Sequence, residues 1–229
     1  MKYKYLLLAY LLLGFLEVFL PDRFFNLAVS LRPINVAIIY CFYVGNTKQH
    51  NYLLLFYLVC ELLNEIFFLI DFTKYFTLVL SCYSIATFTM IYHLWPVLKS
   101  SANKADAVDW LRPGLGLLAI FYMFWRLSLM VFDELPNNSI FFVGVLALVC
   151  WSVFCFLVPV KNKHPDNFAL YFMGGAMAVM APSMFIYEFI WTFEVILYFS
   201  LLSMLLFKIF LVWYLIQFKY ILRSQEEYF

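Results

Sequence analysis

The sequence predicts an all-α, polytopic integral membrane protein in which residues 1–229 form one bundle of eight transmembrane helices. Composition is the first reason, since 66% of the 229 residues are hydrophobic and only 13% are charged. A soluble domain is about half apolar and about a quarter charged, so these few charges cannot cover a water-facing surface. Continuous apolar runs such as Tyr5–Leu20 and Tyr52–Ile70 exclude a transmembrane β-barrel, whose strands alternate apolar and polar residues.

Clusters of charged residues and prolines divide the chain into eight apolar segments, most of them near the 20 residues that span a bilayer. We interpret the first run, Tyr5–Leu20, as a retained helix and not a signal peptide, because no small-residue cleavage site follows it. The weakest boundary is Glu188–Glu194, because it contains Phe189, Ile190 and Trp191, and the longest polar connection is Lys99–Asp106. The other spans are predicted at Phe24–Gly45, Tyr52–Ile70, Tyr75–Leu98, Pro113–Phe132, Ser139–Val160, Phe168–Tyr187 and Phe193–Leu222.

The distribution of Lys and Arg predicts the orientation of the bundle. Cytoplasmic connections carry an excess of these residues. With eight spans, only Arg23, Arg32 and Lys74 fall on the side opposite the N-terminus. Both termini are therefore predicted to be cytoplasmic, and the expected location is a bacterial inner membrane. The N-terminal side collects Lys2, Lys4, Lys48, Lys99, Lys104, Arg112, Lys161, Lys163, Lys219 and Arg223.

Carboxylates inside the predicted spans are functional hypotheses, because an ionisable group in the bilayer is costly. Glu61 and Glu65 are four residues apart in the third helix, so both lie on one helix face. Two carboxylates are not easily ionised together in a site of low dielectric constant, and a carboxylic acid that keeps its proton can serve as a general acid. The alternative is that Glu61 and Glu65 pair with cations from other helices.

Three cations inside or near the spans are candidate partners for these carboxylates: Arg32, Arg126 and Lys208. Lys208 lies in the middle of the last helix, where its ammonium must meet a carboxylate or a water-filled cavity. Glu65 or Glu61 is its expected partner. Arg126 either points inward or extends toward the membrane surface on the side of Asp133.

The remaining chemistry-bearing residues do not indicate a metal, a cofactor or a nucleic acid. The five cysteines, all in apolar runs, are interpreted as small buried hydrophobic residues. His93 has no second His, Cys or Asp near it in the sequence and is interpreted as an interfacial, hydrogen-bonded residue. Pro182, inside the seventh span, predicts a kink.

The order of features in helices 2 to 4 and 7 resembles the YhhN family of eight-helix membrane proteins, which includes the lysoplasmalogenases. Where that family has Lys-Pro, Gly-Asp and His-x-x-Tyr, this chain has Arg32-Pro33, Asn64-Glu65 and Thr89-Met90-Ile91-Tyr92, with His93 displaced. The Gly-Ala of helix 7 is matched by Gly175-Ala176. The following Ser-Asp-Ser falls on Pro182-Ser183-Met184, which lacks the carboxylate.

The resemblance implies hydrolysis of the vinyl ether of a lysoplasmalogen by two intramembrane carboxylates acting as acid and base. Glu65 would keep one carboxylate, and Glu61 or Glu188 would have to replace the one missing at Ser183. The head group of a lysolipid would then lie near Arg32, Lys208 and Glu65. The expected substrate-binding residues are Arg32, Asn64, Tyr92, Ser183 and Lys208.

Other functions remain open at the level of sequence. A non-catalytic bundle that binds membrane lipids, or a subunit of a larger membrane assembly, fits the missing helix 7 carboxylate and the short loops. A retinal-type photoreceptor would use Lys208 for a Schiff base. Transport would require a broken helix near the midplane, for which Pro182 is the sequence indication.

Overall fold

The fold is described from a computed structural model that covers residues 3–20, 25–99, 107–162 and 164–223. Within these ranges the regular structure is helical and no strand is found, so the all-α prediction is confirmed. The predicted polar loop 100–106 lies outside the described residues. The α-helices are α1 (Lys4–Phe19), α2 (Phe25–Thr47), α3 (Tyr52–Asp71), α4 (Phe76–Lys99), α5 (Ala107–Val131), α6 (Asn138–Lys161), α7 (Phe168–Phe189) and α8 (Glu194–Arg223).

The helices have the length and composition of membrane spans. Seven of them, α2 to α8, are long and apolar enough to cross a bilayer. They support the prediction of an integral, multi-pass membrane protein. Helix α1 has 16 residues, which corresponds to about 24 Å at the rise of an α-helix.

Most helix boundaries agree with the sequence prediction to within two residues, and the clearest difference is the start of α5. This helix begins at Ala107, six residues before the predicted start at Pro113, and so contains Pro113 in its interior. Prolines also lie inside α2, α4, α6 and α7. Transmembrane helices tolerate such prolines because neighbouring groups satisfy the freed backbone atoms. The predicted break between the last two helices is confirmed, because α7 ends at Phe189 and α8 starts at Glu194.

Helix α8 has a central position in the bundle. It packs along α7 and also contacts α1, α2 and α4, while α3 packs along α4 and α4 against α6. Helix α5 is peripheral, because only 17% of its span is buried. Gly14 on α1 lies so close to Leu205 that a β-carbon there would be 2.9 Å from Leu205 Cδ2 and nearer still to Cδ1. Small residues permit this kind of close helix approach in membranes.

Candidate functional site

Three charged side chains from three helices meet at Glu65. The Arg32 guanidinium of α2 donates through Nη1 to Glu65 Oε2 at 2.5 Å, and the Lys208 ammonium of α8 donates to Glu65 Oε1. All three residues are at least 95% buried. The predicted pairing of Lys208 with a helix 3 carboxylate is confirmed, and Glu65 is that carboxylate. We refer to Arg32, Glu65 and Lys208 as the ion triad.

Helical periodicity explains why these side chains point inward. On α3, Glu61 and Glu65 share their buried face with Tyr57 and Phe68, at spacings of three or four residues. On α8, Lys208 continues a buried row that includes Met204 and Leu211. Each charge thus lies on a stripe that packing already buries.

A second polar pair lies beside the ion triad. Asn35 Nδ2 on α2 donates to Glu17 Oε2 on α1 at 3.2 Å, and both residues are more than 90% buried. Neither residue is among the site residues predicted from the sequence. The sequence does contain a pattern that indicates Asn35, because this residue follows Arg32 by three positions and therefore shares its helix face. Glu17 also carries the single carboxylate within the apolar run of α1.

A small cavity lies among α1, α2, α3 and α8 and is lined by both polar groups. It leaves about 20 Å³ for the centre of a water molecule, room for about one. Three polar atoms of its lining residues have no hydrogen-bond partner within the described part of the chain: Glu17 Oε1, Asn35 Oδ1 and Arg32 Nε. We call this space the polar cavity, and its lining residues are Tyr10, Gly14, Glu17, Val18, Arg32, Asn35, Glu65, Leu201, Met204, Leu205 and Lys208.

Glu61 and Asn64 lie on α3 but do not line the polar cavity. Both are 2% exposed, and no described residue forms a hydrogen bond with Glu61 Oε1 or Asn64 Oδ1. Asn64 instead faces a separate cavity of about 30 Å³ with mostly apolar walls from α4, α5, α6 and α7. The two polar residues next to each other in the sequence, Asn64 and Glu65, therefore line different cavities.

The other predicted site residues lie away from the polar cavity. Tyr92 is 74% exposed, and Ser183 is half-buried on α7. Glu188 accepts a hydrogen bond from Thr73 Oγ1 at 3.3 Å near the end of α7. Arg126 is exposed, so the interior alternative for this residue is wrong. The reason is that α5 buries little of its surface and Arg126 lies on its outward face.

His93 and the cysteines are placed as follows. His93 Nε2 lies 2.9 Å from Asn51 Nδ2, and its ring stacks on Phe218, so the interpretation as a hydrogen-bonded residue is confirmed.

Cys60 and Cys155 are buried, but Cys41 is exposed, which corrects the prediction that all five cysteines are buried. In a membrane bundle an apolar side chain gains little from facing the interior instead of lipid. No group of three or more His, Cys, Asp or Glu among the described residues could hold a metal ion.

Comparison with family models, with curated proteins and with solved structures found no match to this chain. The resemblance to the YhhN family therefore stays a prediction that depends on the sequence motifs alone. The candidate site of this chain therefore consists of the ion triad, the Glu17–Asn35 pair and the polar cavity that both line.

Proposed function

We propose that this chain is a membrane protein that binds the polar end of a lysolipid or a similar amphiphile in the polar cavity. The observation that carries the proposal is that three buried polar atoms, on residues that line the cavity, have no hydrogen-bond partner among the described residues. Buried polar atoms without partners are rare in folded proteins, and a bound ligand is one way to satisfy them. A membrane amphiphile could reach such a site sideways, between the helices.

The cost of the ion triad supports a role beyond packing. Apolar residues of similar volume often replace a buried ion pair without loss of stability. Ionisable residues inside a membrane are in general associated with ligand or ion sites. Arg32 and Lys208 fix the orientation of the Glu65 carboxylate beside the cavity, which is the positioning that a binding site requires.

Hydrolysis of a lysoplasmalogen is the second candidate function. The specific observation in its favour is that two carboxylates, Glu17 and Glu65, line the same cavity. In this reaction a proton adds to the carbon of the double bond that is not bound to oxygen. Water then adds to the other carbon, which is bound to the ether oxygen. The resulting hemiacetal then releases a fatty aldehyde and the glycerol hydroxyl. The Glu65 carboxylate is paired with two cations, so in this second function Glu17, in its protonated form, would be the candidate acid and Glu65 the candidate base.

The experiment uses the purified protein in lipid nanodiscs with lysoplasmalogen and, separately, with a saturated lysophospholipid of equal chain length. Saturable binding without release of aldehyde supports the binding function. Release of aldehyde that Glu17→Gln abolishes, in a variant that still folds, and that the exposed control Glu134→Gln retains, supports hydrolysis. Absence of saturable binding and of aldehyde would reject both functions and leave a structural subunit of a larger membrane assembly.

The proposed arrangement in the membrane has eight spans, with both termini in the cytoplasm of a bacterial cell and the inner membrane as its location. The ten-to-three distribution of Lys and Arg supports this orientation. The retinal alternative is less well supported, because a Schiff base requires a free amine and the Lys208 ammonium pairs with Glu65.

A further inference from the structure

Three unsatisfied atoms on residues that line the polar cavity indicate which ligand group could satisfy them. Glu17 Oε1 and Asn35 Oδ1 are acceptors, and Arg32 Nε is a donor. A group that donates one hydrogen bond and accepts another meets both kinds of atom. An alcohol hydroxyl does this, whereas an ether oxygen or an ionised phosphate oxygen supplies acceptors only.

The charges around the cavity argue against an anionic ligand group. Both cations of the lining, Arg32 and Lys208, are already paired with Glu65. Among the described residues, the carboxyl group of Glu17 has only the neutral amide of Asn35 as its hydrogen-bond partner. A phosphate in this position would face Glu17 and Glu65 with no unpaired cation among the lining residues.

The size of the cavity also favours an alcohol hydroxyl group. Space for about one water-sized centre accommodates a single hydroxyl oxygen and not a phosphate with its four oxygens. Three of the four lining residues from α8, Leu201, Met204 and Leu205, are apolar, so a hydrocarbon next to the hydroxyl contacts compatible surfaces.

We infer that the polar cavity takes the uncharged hydroxyl group of a lipid alcohol, which donates to Glu17 Oε1 or Asn35 Oδ1 and accepts from Arg32 Nε. This inference deepens the proposed amphiphile-binding function and depends on it. Lysolipids, alkylglycerols and fatty alcohols all carry such a hydroxyl. The recognised feature is then the hydroxyl, and a charged head group lies outside the cavity.

The test measures retention of radiolabelled 1-O-hexadecylglycerol by the purified protein in nanodiscs, relative to empty nanodiscs. Hexadecanol, hexadecyl methyl ether and hexadecyl phosphate serve as competitors because they share one chain and differ in the terminal group. Hexadecanol is expected to compete at least about tenfold better than the other two, the effect of one hydrogen bond to a charged group. Equal competition by the methyl ether or the phosphate overturns the inference but leaves amphiphile binding in place.

Variants locate the effect in the polar cavity. Glu17→Gln and Asn35→Leu are each expected to reduce the preference for hexadecanol over its methyl ether to about threefold or less. The exposed control Glu134→Gln should keep the full preference. An unchanged preference in both cavity variants overturns the inference, and the competition series on the unmodified protein decides it if either variant does not fold. If the unmodified protein retains no label, the proposed function itself fails.

Discussion

Lys208 on α8 and Glu65 on α3 form an ion pair across 143 residues of sequence, and Arg32 of α2 completes the triad. The pair connects the last helix of the bundle to the third. It also determines which acidic residue is neutralised, because Glu61, one turn away on the same face, has no ion pair among the described residues.

The first prediction concerns the energy of this pair. Lys208→Met should lower the free energy of unfolding by about 3 kcal/mol, the lower end for a broken buried pair, because Arg32 still faces the stranded carboxylate. The double variant Lys208→Met with Glu65→Gln tests whether the two residues interact. Its loss of stability should be smaller than the sum of the two single losses by about 1 kcal/mol or more. Unfolding in a denaturing detergent measures both. Lys219→Met, at an exposed position of the same helix, is the control, and strictly additive losses would contradict the pairing.

A second prediction ranks the members of the triad. Glu65→Gln removes the shared acceptor and leaves two buried cations facing each other, so its loss of stability should exceed that of Lys208→Met and reach about 5 kcal/mol. Glu134→Gln, the same change at an exposed position, should be neutral within about 0.5 kcal/mol. A thermal-melt series in one detergent gives the order. A smaller loss for Glu65→Gln than for Lys208→Met would mean that the carboxylate is not the centre of the site.

The third prediction concerns the close approach of α1 and α8. Gly14→Ala should destabilise the bundle by about 1–3 kcal/mol, because its β-carbon overlaps Leu205 and forces that side chain toward the polar cavity. Gly175→Ala is the matched control, since a β-carbon at Gly175 meets no atom within 4 Å. Adding Leu205→Ala to Gly14→Ala should recover part of the loss, and no recovery would show that the two residues do not compete for space.

The fourth prediction concerns topology. If α1 crosses the membrane with the other seven helices, both termini are in the cytoplasm, as the distribution of Lys and Arg favours. Reporter fusions at Met1 and Phe229 should then give the same, cytoplasmic, signal. A fusion in the turn around Lys74 provides the control and should report the opposite side. Signals on opposite sides from the two termini would show that only seven helices span the membrane.

The candidate site could be anticipated from the sequence only in part. An ionisable residue in an apolar run is visible directly, so Arg32, Glu65 and Lys208 could be chosen, and their spacing predicts which face of each helix they occupy. Glu61 and Glu65 have equivalent positions in this respect. The choice between them depends on where α2 and α8 cross α3, which no local pattern encodes.

The sequence by itself determined the class of the protein, since its composition leaves no way to cover a soluble surface, and it determined the helix boundaries closely because charges and turn residues interrupt the apolar runs. Only the tertiary structure placed Glu17 and Asn35 beside the ion triad, placed Asn64 at a separate apolar cavity, and left Tyr92 and Arg126 exposed. The physical reason is that helical periodicity specifies a face within one helix. Which faces meet depends on the side-chain packing between helices, where small residues such as Gly14 set the distance of approach.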